Sequence, residues 1–133
     1  LVLARKNDFS AENVEEYIAD TMKTTWASQE DLQWYEDMMK GFLSRMDNDK
    51  KQVWVDKQIY IALGNLMTVC ANMRIDSCPV EGFIAPKYDE ILGLTKKGLS
   101  SVVVLPIGYR DEDDKYASNK KVRFSRDKVV VKI

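Results

Sequence analysis

Trp54-Val55-Asp56-Lys57-Gln58-Ile59-Tyr60-Ile61-Ala62-Leu63-Gly64-Asn65-Leu66 is the stretch on which the fold turns. In a helix from about Gln52 to Met73, Trp54, Ile59, Leu63, Leu66, Met67, Cys70 and Met73 form one apolar stripe. Val55, Tyr60, Ile61, Ala62, Val69 and Ala71 fill much of the remaining surface. A helix apolar nearly all round needs cover on several sides. A chain of 133 residues has limited core with which to cover it, and a subunit interface would do so more easily. Gly64 costs about 1 kcal/mol relative to alanine at such a position; close packing against another backbone is a reason to accept it.

Towards the N-terminus, Asp47-Asn48-Asp49 separates this helix from another that starts at Ser28, with Glu30 and Asp31 in its first turn. Its predicted buried stripe is Leu32, Tyr35, Met39, Phe42 and Met46, with Trp34 and Met38 beside it. Ser10 is a good N-cap for an earlier helix on which Val14, Tyr17, Ile18, Thr21 and Met22 recur at helical spacing. Glu12, Glu15 and Glu16 suit the positive end of its dipole. Leu1 to Ala4 is predicted to be a strand closed by the polar turn Arg5-Lys6-Asn7-Asp8. That opening has no initiator methionine and resembles the middle of a buried strand, so the expectation is one domain over residues 1–133 without its N-terminal segment.

Towards the C-terminus comes the turn-rich run Asp76-Ser77-Cys78-Pro79-Val80-Glu81-Gly82-Phe83. Pro86 fits the first position of a short helix through Leu92, with Gly93 past its end. Ser101 to Ile107 is a β-branched run expected to form a strand buried on both faces. A charged loop from Gly108 to Lys121 and a last strand from Val129 to Ile133 complete the chain. Helices and strands interleave without regular βαβ alternation, which points to an α+β fold.

Composition narrows the chemistry. Twenty basic residues against 21 acidic ones leave a net charge of -1, with no general attraction to nucleic acid or an anionic membrane. No apolar run approaches the ~20 residues of a membrane span. Cys70 and Cys78 are too few for a disulfide framework and lack the paired spacing of a zinc site, which suggests reduced thiols in a cytoplasmic protein. There is no histidine. Ser-His-Asp and Cys-His catalysis are excluded, so any enzymatic activity needs carboxylates or a cofactor with its own reactivity.

The stretch from Trp54 to Leu66 is similar to the long central helix of the FMN-dependent nitroreductases, the NAD(P)H nitroreductase and flavin reductase type. Ile75-Asp76-Ser77-Cys78-Pro79-Val80-Glu81-Gly82-Phe83 resembles their flavin loop. Gly108-Tyr109-Arg110 and Lys121-Val122-Arg123 then follow in the family's order and at about its spacing. The likeness is close from Trp54 to Ile133 and loose before it, so the chain looks like the C-terminal portion of such a protein.

The resemblance implies an α+β fold with a mixed sheet flanked by helices, assembled as a homodimer with one FMN in each of two sites between subunits. It implies that Pro79, Val80, Glu81 and Gly82 lie against the isoalloxazine ring, and that Lys121 and Arg123 reach the FMN phosphate. It also implies hydride transfer from NADH or NADPH through flavin N5 to a nitroaromatic, a quinone or another flavin. Phe42 is the aromatic chosen to lie over the flavin and bind substrate there, since family members place one in this helical excursion, and Gly108-Tyr109-Arg110 is taken as structural.

Residue chemistry agrees with those roles. Gly82 has no Cβ to keep a planar ring away. Backbone N–H groups around Glu81 can stabilise a reduced flavin. Lys121 and Arg123, two apart, point to one side of an extended segment and both suit a phosphate. By themselves, CPVEGF is also a plain helix-to-strand turn and KKVR a solvated basic cluster; Trp34, Tyr35 and Phe42 are also ordinary packing residues. Two parts of the family pattern, an Arg-rich N-terminal segment and an Asn-containing one, are not among these 133 residues. A non-catalytic flavin-binding or interaction module of the same fold is the alternative.

Overall fold

The computed structural model describes residues 1–133. Strand β1 (Val2–Lys6) leads into helices α1 (Ala11–Thr25), α2 (Gln29–Ser44) and α3 (Asn48–Asn72). Then follow β2 (Asp76–Ser77), α4 (Ala85–Leu92), a 3-10 turn at Thr95–Lys97, β3 (Leu99–Val104), β4 (Ile107–Gly108) and α5 (Arg126–Val129). β1 pairs antiparallel with β3, and β2 antiparallel with β4. Val80 bridges to Val104, which fastens the loop after β2 onto β3.

Local chemistry sets most helix limits. The Ser28 hydroxyl accepts the Asp31 N–H at 3.2 Å, and Asp31 accepts the Ser28 N–H in return. At α1 the reciprocal bond runs from the Ser10 N–H to Asn13. α3 starts at Asn48 rather than Gln52, because Asp47 accepts the Lys50 N–H at 2.8 Å and caps it. α4 starts at Ala85, one residue before expected, so Pro86 is its second residue, and Gly93 ends it at φ 63°, as expected.

Two small cores hold these elements. Val14 and Ile18 of α1 meet Leu43 of α2, with Phe9, Met22, Leu32, Tyr35, Met39 and Met46 packed around them. Leu63 of α3 meets Val103 and Leu105, flanked by Leu3, Ile59 and Met67. On α2 it is Leu43, not Phe42, that turns inward; Phe42 is half exposed. Tyr17 likewise lies outside the α1 core.

Several expectations change. Arg5 and Lys6 belong to β1, so the turn begins at Asn7, whose N–H donates to Gly98. The run from Ser101 to Ile107 is two strands: β3 starts at Leu99, and Pro106, with no N–H to donate, separates it from β4. Only Ser101, Val103 and Leu105 of that run are fully buried, with half-buried neighbours between them. Val129 to Ile133 forms no strand; α5 takes Val129, the rest is irregular, and the whole segment is exposed. It has no neighbouring strand in this chain to accept a ladder of hydrogen bonds.

α3 is covered on one side only. Leu63 and Cys70 are buried, while Val53 (54%), Ile61 (60%) and Val69 (53%) stay exposed. Gly64 meets nothing where a Cβ would stand, so no backbone of this chain packs against it.

Candidate functional site

The loop from Cys78 to Phe83 is held by its backbone. The Cys78 N–H donates to Pro106 at 3.1 Å, and Val80 exchanges both backbone hydrogen bonds with Val104, at 2.8 and 3.0 Å. The Phe83 N–H turns back to Glu81 at 2.8 Å, and the Phe83 ring packs edge-on against Tyr88 with centroids 5.0 Å apart. Between these anchors, the N–H groups of Glu81 and Gly82 donate to nothing in the chain. A Cβ at Gly82 would meet no atom within 4 Å. Two backbone donors therefore border an open surface, a combination able to take a planar ring with acceptor atoms on its edge.

One side-chain link ties the loop to α3, and a second ties the preceding strand β2 to the segment after β4. The Tyr60 hydroxyl on α3 donates to a Glu81 carboxylate oxygen. That bond pushes the phenol above its ordinary 10.0, with burial and the charges of Glu81 and Asp56 adding to it. Arg110 grips Asp76 with two parallel bonds, Nε to Oδ2 at 2.7 Å and Nη2 to Oδ1 at 2.9 Å. The guanidinium holds the Asp76 carboxyl below its usual 3.8, and Lys121 contributes to the same effect from farther off. This fork closes one side of a shallow cleft of about 280 Å³ that also contains Cys78, Ile107 and Tyr109.

Pro79, Val80, Glu81 and Gly82 are thus brought together in one loop, and Lys121 lies within electrostatic reach of Asp76 in the strand before it. Arg123 is fully exposed, and its guanidinium hydrogen-bonds the Val122 carbonyl at 2.8 Å. Neither Lys121 nor Arg123 has an ion-pair partner. Phe42 lies elsewhere. With Phe9, Val14, Met38, Met39, Leu43 and Trp54 it lines an apolar cleft of about 270 Å³ between α2 and the start of α3. Its ring stands edge-on to Trp54, centroids 6.0 Å apart.

Sequence reasoning gave Tyr60 no part in the site and treated Arg110 as structural. Nothing local marks either pair, since 21 residues separate Tyr60 from Glu81 and 34 separate Asp76 from Arg110. The one available signal was a phenol next to the apolar run Ile61-Ala62-Leu63, whose hydroxyl favours a partner.

With this geometry in view, the chain can be set beside known proteins. The nitroreductase family profile matches residues 2–109, and the chain belongs to that family. An oxygen-insensitive NAD(P)H nitroreductase of Enterobacter cloacae is 35% identical over 88 residues, covering 66% of this chain and 41% of the relative. A Staphylococcus saprophyticus protein, provisionally named an NAD(P)H nitroreductase, is 35% identical over 136 residues, covering 98% of this chain and 60% of its own. The fold matches a solved Staphylococcus epidermidis protein, provisionally named an NAD(P)H:FMN oxidoreductase, with a TM-score of 0.75 at 17% identity. That match covers 92% of this chain and 55% of the other. The α+β fold is therefore the nitroreductase fold, and the chain spans roughly half the length of these relatives.

Proposed function

We propose that the intact protein is a homodimeric FMN flavoprotein that moves hydride from NADH or NADPH to nitroaromatics, quinones or similar electron-poor acceptors. The observation that carries this reading is the Pro79–Gly82 loop, which offers two unused backbone donors beside open space at Gly82. The names of the relatives, NAD(P)H nitroreductases and an NAD(P)H:FMN oxidoreductase, support it.

The residues present fit an FMN. Glu81 and Gly82 carry the N–H groups that would hold its ring, and Val80, fastened to Val104, keeps that stretch of loop in place. Lys121 and Arg123 carry unpaired positive charge suited to its phosphate. When bound, FMN supplies the electron chemistry, accepting hydride and passing it on. Phe42 is assigned to the acceptor as a half-exposed aromatic at the mouth of an apolar cleft. The bare face of α3 is assigned to the partner subunit. Location in the cytoplasm is supported by Cys70 and Cys78, both free thiols; no helix is long and apolar enough to cross a membrane.

Reconstitution of the intact protein with FMN tests the reading. The expected result is a yellow protein that oxidises NAD(P)H only when a nitroaromatic or quinone is present. A colourless protein overturns it, and a yellow one that consumes no NAD(P)H leaves a flavin-binding module of the same fold.

A further inference from the structure

Glu81 is the only residue from Cys78 to Phe83 whose side chain makes a hydrogen bond, and its donor is Tyr60. The remaining fastenings of this loop are backbone bonds at Cys78, Val80 and Phe83. The two free donors lie among them: the Glu81 N–H shares its peptide plane with the Val80 carbonyl, which accepts from Val104, and the Gly82 N–H shares its plane with the Glu81 carbonyl, which accepts from Phe83. The backbone is thus fastened without help, whereas the Glu81 carboxylate has Tyr60 alone. Tyr60 stands on the longest and most regular element of the molecule, a 25-residue helix, so it is a firm post for a loop residue.

The bond also acts on charge. A carboxylate beside a flavin ring disfavours the electron-rich reduced form, and a phenol donating to that carboxylate disperses part of its charge. In open water the effect is small; against a bound ring, where less water screens the charge, it is larger. Because the phenol is pushed above 10.0, it keeps its proton and remains a donor throughout the neutral range.

From this geometry we infer that Tyr60 is a positioning residue of the flavin loop. It holds the Glu81 carboxylate against α3, and thereby sets where that charge stands and how strongly it bears on the reduction potential of the flavin. The inference rests on the proposed FMN site.

The test is the midpoint potential of FMN bound to the intact protein, measured by spectroelectrochemistry in Tyr60→Phe, Glu81→Gln and the double variant. Phenylalanine keeps the ring and removes the donor. Tyr60→Phe is expected to shift the oxidised-to-reduced equilibrium roughly threefold to tenfold towards the oxidised form, about 15–30 mV more negative for a two-electron couple. Glu81→Gln removes the charge and is expected to shift the potential the other way. In the Glu81→Gln background the tyrosine substitution should then do much less, since the two groups act as one unit. A flavin-loaded Tyr60→Phe variant with the parent's potential overturns the inference, as does a shift that persists undiminished beside Glu81→Gln. Failure of the intact protein to take up FMN overturns the proposed function, and this inference with it. Uptake with an unmoved potential overturns this inference alone.

Discussion

Arg123 is fully exposed with no carboxylate partner, and it follows Lys121 by two positions. Charge-assisted hydrogen bonds are worth ~1.5–3 kcal/mol each, so Arg123→Ala is expected to weaken FMN binding about tenfold or more. Flavin fluorescence titration reads this, and an unchanged affinity would return Lys121-Val122-Arg123 to a solvated basic cluster. Asp76 and Arg110 make a second expectation, on stability. Asp76 has a folded-state pKa below its ordinary 3.8. Its contribution is therefore present above 3.8 and is lost as the pH falls through the lowered folded value. Arg110→Ala should melt slightly below the parent at neutral pH, and the two should converge only in strong acid, below pH 3.8. Both groups are solvent-exposed, so the difference is small. Melting curves that stay equally far apart at pH 7 and in acid would count against the ion pair as its source.

At the scale of the element, α1 ends in a way that invites a stabilising change. Trp26 closes it in the left-handed conformation, at φ 61°, with its side chain 92% exposed. Glycine is the usual residue there because a Cβ strains that backbone. Trp26→Gly is expected to stabilise the protein by about 0.5–1 kcal/mol, the strain relief being partly offset by glycine's freedom in the unfolded chain. Denaturant unfolding is the measurement, and a lower midpoint for the variant would mean that the indole contributes packing in the assembled protein. Two other helix ends were legible from sequence. Ser28 and Gly93 stand where expected, because a cap is settled within about four residues. α3 began earlier than its apolar pattern because Asp47 reaches forward to Lys50.

The whole molecule leaves much apolar surface bare. Only nine of 133 residues are fully buried, so most of α3's apolar surface finds no cover within the chain. Assembly through α3 would supply it, and Leu66→Arg tests this by placing an unpaired charge in that interface at a cost of several kcal/mol. Sedimentation of the intact protein is expected to show a dimer, and of the variant a monomer that releases FMN on dilution. A parent that remains a compact monomer with its flavin bound would overturn the assembly, as would a variant as dimeric as the parent.

Sequence alone determined the four longer helices, the caps at Ser10, Ser28 and Gly93, and the order of four motifs along the chain. These depend on hydrogen bonds and apolar spacing within a few residues, which any local reading can see. It also narrowed the chemistry open to these 133 residues, since without histidine any enzymatic activity needs carboxylates or a cofactor with its own reactivity. Tertiary structure alone decided that Val80 is fastened to Val104, that Tyr60 holds Glu81, and that Arg110 grips Asp76. It decided too that Pro106 divides one apolar run into two strands, and that Val129 to Ile133 stays unpaired in a single chain. Each of those outcomes depends on which distant backbone or side chain arrives alongside, and a hydrogen bond across 21 or 34 residues leaves no mark on the residues next to it.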